Sequence, residues 1–246
     1  MKAVVQWLSF VMLSIALGQS QQALALSEQE LSEYYTRYQV QRGGSDYGEA
    51  TRQLQRNDDG SFLLQNETEI SFLFLSDVRR YESVFSFAQQ QIKPQSFSFK
   101  RSGTGSNKKF AVQFDPQAQQ VIEAESGAPL PIQWQPHLLD EASMLEQLRF
   151  DLQHTDKREF DYQLVGDKGD YDEQKFRRLE RETLSLPYGE VEAIKVERVR
   201  TSSTRETLYW FAPQLDYVMV KMQQRKEGDE VATLLLEQVE LSASGQ

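Results

Sequence analysis

The sequence predicts a mainly β protein: a strongly curved antiparallel sheet, a half-barrel or incomplete barrel of about a dozen strands, with one α-helix packed in its concavity. Three observations carry this reading. Apolar and polar residues alternate with a period of two through most of the chain, the pattern of half-buried strands. Turn-forming Gly, Asn, Asp and Pro separate the alternating runs at short intervals. Only one segment, near 140–153, carries apolar residues at helical spacing. A dozen strands ~4.7 Å apart would span about 55 Å if flat, and a helix ~10–12 Å wide covers two or three of them. The rest of the apolar face must be buried by the sheet curling on itself, which strand twist favours.

Taken in order, the chain opens with Lys2, an apolar stretch from Val4 to Leu17 and the small-residue site Ala23-Leu24-Ala25. That arrangement reads as a secretory signal peptide over 1–25, cut after Ala25, leaving one β-rich domain over 26–246. The apolar stretch is shorter than the ~20 residues of a spanning helix, and no later run is long enough for one. Tyr34, Thr36, Tyr38 and Val40 form the first strand face, and Gly43-Gly44-Ser45-Asp46 turns. Gly48, Ala50 and Leu54 follow, then the Asn57–Gly60 turn and the face Phe62, Leu64, Asn66, Thr68, Ile70. The apolar run Ile70–Leu75 fits either a strand or a buried helical turn. Tyr81, Ser83, Phe85 and Phe87 make the next face. Phe97 and Phe99 come after Pro94, which belongs at a strand start or edge. A Gly/Ser loop at 102–107, Phe110, Val112 and Phe114, the Asp115-Pro116 turn and a short return strand at Val121-Ile122 complete the first half.

The proline-rich stretch 126–136 is a connection, not a strand. Asp140 then offers a helix N-cap. Ala142, Leu145, Leu148 and Leu152 make one apolar stripe that ends near Gln153. Strands resume at Phe160, Tyr162 and Leu164, turn at Gly166–Gly169 and pass Phe176. The best-patterned stretch follows: 183–186, a Pro187-Tyr188-Gly189 turn, 191–199, 207–211, a turn at 212–216, and 217–222, with a last strand over 231–241.

Composition removes several function classes. There is no cysteine, so disulfides, thiolate metal sites and Cys nucleophiles are excluded. The net charge of −10 opposes nucleic-acid binding, which draws its affinity from Lys and Arg, and it disfavours adsorption to anionic membranes. His137 and His154 bracket the helix without a nucleophile or metal partner in the pattern. Ser102–Lys109 lacks the order of a phosphate-binding loop. Asp167, Asp170, Asp172 and Glu173 lack calcium-loop spacing. Glu180 and Glu182 read as a solvated face beside Arg178 and Arg181. No catalytic residue, metal site or cofactor motif emerges, and the chain reads as a non-enzyme. The aromatic residues remain. Most are core, but Phe85, Phe97, Phe99, Phe110, Phe114 and Trp210 are the candidate lining of a groove left over if strands outnumber what one helix can fill.

One stretch is also similar to a known family. Glu182-Thr183-Leu184 through Pro187-Tyr188-Gly189 to Arg198, followed by Trp210-Phe211-Ala212-Pro213 and Leu215-Asp216-Tyr217, resembles the bacterial exported domain-of-unknown-function family 3108. Gly48-Glu49-Ala50 and Leu139–Ser143 are similar too, so the likeness spans about 34–241. Met219 departs from the pattern, where many relatives would place a proline. The family has no assigned activity. The resemblance implies an exported protein of a Gram-negative-type periplasm with a curved β-sheet fold reminiscent of periplasmic acyl-chain carriers. The expected function is a non-catalytic envelope protein that holds an apolar ligand, such as an acyl chain, in the sheet concavity. The alternatives are a structural or assembly protein acting on an envelope partner through a sheet edge, and a hydrolase without a recognisable motif.

Overall fold

The computed structural model describes residues 31–72, 74–201 and 204–242. The signal segment and its cut after Ala25 lie outside them. Among the described residues the alternating runs form fourteen strands of a single sheet. The first half is β1 (Tyr34–Arg42), β2 (Ser45–Arg56), β3 (Phe62–Phe72), β4 (Leu75–Ala88), β5 (Gln91–Gly103), β6 (Lys108–Asp115) and β7 (Gln120–Glu123). The second half is β8 (Leu138–Asp140), helix α1 (Met144–His154), β9 (Glu159–Val165), β10 (Tyr171–Leu186), β11 (Gly189–Val199), β12 (Arg205–Ala212), β13 (Val218–Lys226) and β14 (Asp229–Leu241).

The spatial order is β7-β6-β5-β4-β3-β2-β1-β14-β13-β12-β11-β10-β9-β8. The strands from β1 to β7 and from β9 to β14 are thus meanders, and the first strand pairs antiparallel with the last, Tyr34 opposite Leu241 and Gln41 opposite Thr233. Every neighbouring pair is antiparallel except β8–β9. The sheet curls but does not close on a ladder, and β7 and β8 are its two lips. Side chains bridge the gap: the Ser83 hydroxyl on β4 donates to Asp140 Oδ2 on β8 at 2.6 Å.

The ambiguous run is no helical turn: Ile70–Phe72 ends β3 and Leu75 begins β4, and the two strands pair up to Phe72 opposite Leu75. Pro94 lies inside β5, not at its start. A register shift at Val84/Phe85 sets Phe85 opposite Pro94, and β6 pairs only from Ser96 onward, so the missing N–H of Pro94 breaks no rung on that side. The strand near Phe176 and the strand at 183–186 are one, β10, bent by a bulge between Arg178 and Arg181.

The helix differs at its start from the sequence expectation. Asp140 belongs to β8, and its Oδ1 accepts the backbone N–H groups of Ala142 and Ser143 at 2.9 and 2.8 Å. It therefore caps the turn that leads into the helix, while Ser143 occupies the N-cap position without a side-chain cap bond. Ala142, Leu148 and Leu152 of the expected stripe are buried, but so are Glu146, Gln147 and Arg149 on the other side. The helix is enclosed nearly all round. Phe150 meets Phe87 of β4 edge-on at 4.8 Å. Asp151 accepts the Tyr162 hydroxyl of β9 at 2.7 Å. Arg178 of β10 donates to the terminal carbonyls of Leu152 and Thr155 at 2.7 and 2.9 Å. No helix among the described residues is long and apolar enough to cross a membrane.

Candidate functional site

The helix is fixed in the concavity by a buried ionic cluster. Arg52 occupies the inner face of β2 between Ala50 and Leu54. Its Nε and Nη2 donate to Glu146 Oε1 at 3.0 and 2.7 Å, and its Nη1 donates to Asn66 Oδ1 on β3 at 3.0 Å. The Tyr34 hydroxyl also donates to Glu146 Oε1. Arg149, one turn further along α1, donates to Glu146 Oε2 at 2.9 Å and to the Asp216 carbonyl at 3.0 Å. Burial works to raise the Glu146 carboxyl, but Arg149 and Arg52 outweigh it and hold the group below its ordinary value. Burial pushes the Tyr34 phenol up, so it stays a donor. One carboxylate thus serves two buried guanidiniums and a phenol, an arrangement with no spare acceptor for an incoming ligand.

Beyond the N-terminal end of the helix the concavity is unfilled. A cavity of about 230 Å³ lies among Tyr38, Arg52, Thr68, Leu145, Met219 and Leu234. A second, of about 480 Å³, lies among Val40, Ile70, Asp77, Arg101, Val231 and Ala232. Tyr38 and Val40 are two residues apart on β1, as are Thr68 and Ile70 on β3 and Leu234 and Ala232 on β14. Residues two apart share a face and advance by ~6.6 Å, so the cavities are successive sections of one trough along the inner wall. Its walls mix Val, Ile, Leu, Met and Tyr with polar side chains, Thr51, Asn66 and Thr68 in the inner section and Gln41, Ser76 and Thr104 in the outer. Its inner end is the ionic cluster, and its outer end carries Asp77, whose carboxylate takes Arg101 at 2.9 Å.

Glu141 borders the inner cavity. Burial pushes its carboxyl up to about 7; Arg198 opposes this, and Asp167, Asp172 and Asp140 add to it. At the other end of α1 lies a polar chamber of about 560 Å³, with Gln89, Gln91, Gln147, Gln163, Gln174 and Lys157 among its walls. Its amides compete with water for any guest and bury little apolar area, so it suits an acyl chain poorly. The helix therefore separates an apolar trough from a polar chamber.

The six aromatic residues singled out in the sequence lie elsewhere. Phe85, Phe97, Phe99 and Phe114 are buried in the packed wall. Phe85 stacks on Phe62 at 5.7 Å, and Phe99 lies 4.7 Å from Tyr81. Phe110 is half-buried against that core. Trp210 pairs with Lys195 on the opposite face of its strand from Tyr209, where Lys221 and Lys195 cover its ring at 4.5 and 5.3 Å. The trough is lined instead by aliphatic, Met and Tyr side chains interleaved with polar ones. Their signal in the sequence was the polar residue on an apolar face: Arg52 between Ala50 and Leu54, and Asn66 and Thr68 between Leu64 and Ile70. Of the two histidines, His154 is tied to the Phe150 carbonyl through Nδ1 at 2.9 Å, and His137 borders the polar chamber. Among the described residues no three His, Asp or Glu are grouped to hold a metal ion.

The family model described as "Protein of unknown function (DUF3108)" matches residues 37–235. The chain belongs to that family. Its fold is similar to that of the beta-barrel-like DUF1849 protein from Brucella abortus, with a TM-score of 0.60 over 87% of this chain and 100% of that one at 6% identity. A DUF1329 protein from Desulfovibrio piger aligns over 89% of each chain at 9% identity, but its TM-score of 0.21 carries no argument. No curated protein matches the chain. The DUF3108 assignment and the shared barrel-like architecture establish what kind of fold this is.

Proposed function

We propose that this DUF3108 protein is a non-catalytic, exported protein of the cell envelope that holds an apolar ligand, such as an acyl chain, in the trough. The observation that carries the reading is the trough itself. It is an unfilled groove with aliphatic, Met and Tyr side chains among its walls, whereas the chamber at the other end of α1 is walled mainly by amides and charged groups. An acyl chain entering it exchanges water for apolar contact at ~25 cal/mol per Å² of area buried. The inner end gives a carboxylate or phosphate head no free partner, because Arg52 and Arg149 are already engaged. The outer end has cations and solvent, so the chain enters tail first and leaves its head at the mouth.

Uptake of a fluorescent fatty acid such as cis-parinaric acid tests this. Wild type is expected to enhance its fluorescence saturably. Thr68→Trp, which fills the inner section of the trough, is expected to abolish uptake while leaving the melting temperature within a few degrees. A wild-type protein that takes up no probe and carries no ligand when purified from cells overturns the reading. Assembly through a sheet edge draws less support from the geometry. The lips β7 and β8 are only 4 and 3 residues long, and short edge strands are poor templates for pairing.

A further inference from the structure

The short lip β8 leaves a longer edge bare behind it. β8 pairs with β9 only from Leu138 opposite Gln163 to Asp140 opposite Val165. β10 pairs with β9 along its whole length, from Tyr171 opposite Val165 to Arg177 opposite Glu159, without a register shift. Two bonds fix the direction of the backbone groups. The Arg158 carbonyl accepts the Arg178 N–H of β10 at 2.8 Å, and the Val165 carbonyl accepts the Glu141 N–H just past β8 at 3.1 Å. The N–H and carbonyl of one strand residue point to the same edge, and the edge alternates from residue to residue. Even-numbered residues of β9 therefore face β10, and Glu159, Asp161, Gln163 and Val165 face the other way. β8 lies opposite Gln163 and Val165, but no strand stands opposite Glu159 or Asp161. No group among the described residues bonds to the Asp161 N–H or carbonyl.

The polar chamber lies on this edge. Asp161 and Gln163 of the outer face of β9 and Tyr162 of its inner face all border it, so the chamber runs round the bare edge of the strand. Across the seam the start of β5 is bare too, since β5 pairs with β6 only from Ser96 onward. There the protein supplies a substitute. The Gln147 side chain takes the Ile92 N–H at 2.8 Å and donates to the Gln90 carbonyl at 3.1 Å, as a neighbouring strand would. The Asp161 edge has no such substitute. Gln174, on the chamber wall beside it, is 2% exposed. Its Nε2 donates to Asp172 at 3.0 Å, and its Oε1 accepts no hydrogen bond from the described residues. Charge adds no strong preference, because the wall sets Asp151, Asp161 and Glu173 against Lys157 and Lys175, and Lys175 pairs with Asp161 at 3.4 Å.

We propose that the seam beside β9 binds an extended segment of a partner protein, rich in Ser, Thr, Asn or Gln, which adds as a strand to Glu159–Gln163 in line with β8. Strand addition draws its affinity from main-chain bonds and its selectivity from the pockets that receive alternate side chains. The Asp161 N–H and carbonyl supply the central rung. Gln174 Oε1 receives a hydroxyl or amide from an inward-pointing side chain of the segment. The stretch from Glu159 to Gln163 is ~14 Å long at strand spacing, and the chamber of about 560 Å³ falls within the ~300–1,000 Å³ of ordinary ligand sites. A glycan answers the amides but carries no alternating N–H and C=O groups at strand spacing. The chamber and the trough lie at opposite ends of α1, so peptide binding here is independent of the ligand reading.

Fluorescence anisotropy tests this with the full mature chain and a library of fluorescein-labelled octapeptides of Ser, Thr, Asn and Gln. At least one peptide is expected to bind wild type saturably. Methylating the N–H groups along one edge of that peptide, at alternate residues, keeps its side chains and removes its strand bonds. For one of its two edges this is expected to weaken binding by roughly tenfold. Asp161→Pro removes the bare N–H and keeps every rung to β10, a place where a strand tolerates proline. It is expected to weaken binding by roughly tenfold while the melting temperature stays within a few degrees and uptake of cis-parinaric acid is unchanged. Should Asp161→Pro fail to fold, the methylated peptides on wild type decide. Failure of every peptide to bind overturns the proposal, as does equal binding of the parent and both methylated peptides, or of a folded Asp161→Pro. Dimers in sedimentation that Asp161→Pro abolishes, without peptide binding, would overturn it in favour of pairing between two copies. Maltohexaose that binds where no peptide does would overturn it in favour of a glycan.

Discussion

Replacing Glu146 by Gln keeps the shape of the side chain and removes the one negative charge that two buried guanidiniums share. Arg52 is 7% exposed and Arg149 2% exposed. Both lose their carboxylate while remaining out of water, and one oxygen of Glu146 becomes an amide nitrogen that can only donate. Breaking a buried ion pair by removing one partner costs about 3–5 kcal/mol. For a chain of this size about 1 kcal/mol moves the melting temperature by roughly 2–4 °C, so the expected fall is on the order of 6–20 °C. Urea denaturation followed by tryptophan fluorescence gives the free energy directly. Arg52→Met added to Glu146→Gln removes one of the orphaned cations. The double variant is therefore expected at or above the stability of the single one, with a coupling of roughly 1–3 kcal/mol. A Glu146→Gln protein within about 1 kcal/mol of wild type, or costs that simply add in the double variant, would refute the reasoning that this cluster is held by mutual neutralisation.

Two further expectations follow from the same geometry. Glu141 has a pKa of about 7 in the fold against 4.5 in an unconstrained chain. The folded state therefore binds the extra proton between those values. Its contribution to stability is fully present below about pH 4.5 and is lost as the pH rises through 7, by about 3 kcal/mol in total. Glu141→Gln is expected to flatten that slope and to raise stability at pH 8 but not at pH 4; equal urea midpoints for the two proteins at pH 8 would contradict it. Gly48→Ala and Gly103→Ala each place a methyl against a backbone carbonyl at a φ that alanine avoids. Each is expected to lower stability by roughly 1–3 kcal/mol or more, while Gly44→Ala, which meets nothing within 4 Å at its φ of 76°, should cost less; equal losses at all three in thermal melts would contradict the close approach.

Much of the wall was legible because its alternation is nearly unbroken. On β1, Tyr34, Thr36, Tyr38 and Val40 were read as one face, and all four are buried. β8 was missed because 3 residues carry no period, and its parallel pairing with β9 depends on where the preceding connection delivers it. The helix start was displaced because Asp140 caps a turn, not the helix, and residue type alone does not distinguish the two. The polar half of α1 was the larger omission. Glu146, Gln147 and Arg149 look like a solvated face until the strands that enclose them are in place. Gln147, for one, carries the β4–β5 turn through Ile92 N–H at 2.8 Å and the Gln90 carbonyl at 3.1 Å. The groove residues were misplaced for a related reason. Large aromatics fill space efficiently, so they sit where the wall is packed, and the opening falls where smaller and more flexible side chains leave room. The run at 70–75 was legible only as apolar. That β3 gives way to β4 there is a matter of pairing, Ser71 opposite Ser76, which single-chain periodicity does not contain.

The pairing of β1 with β14 has a kinetic consequence. Each meander can zip from its own hairpins, but the rungs that unite them join residues about 200 positions apart, from Tyr34 with Leu241 inward. Closing so long a loop costs entropy before any reward arrives, and topologies of this kind fold in milliseconds to seconds, not microseconds. The waist of the molecule is therefore made last. A chain emerging through a membrane from its N-terminus would hold β1 with one side bare until β14 arrives, and that interval is when a chaperone, or an unwanted neighbour, would find it.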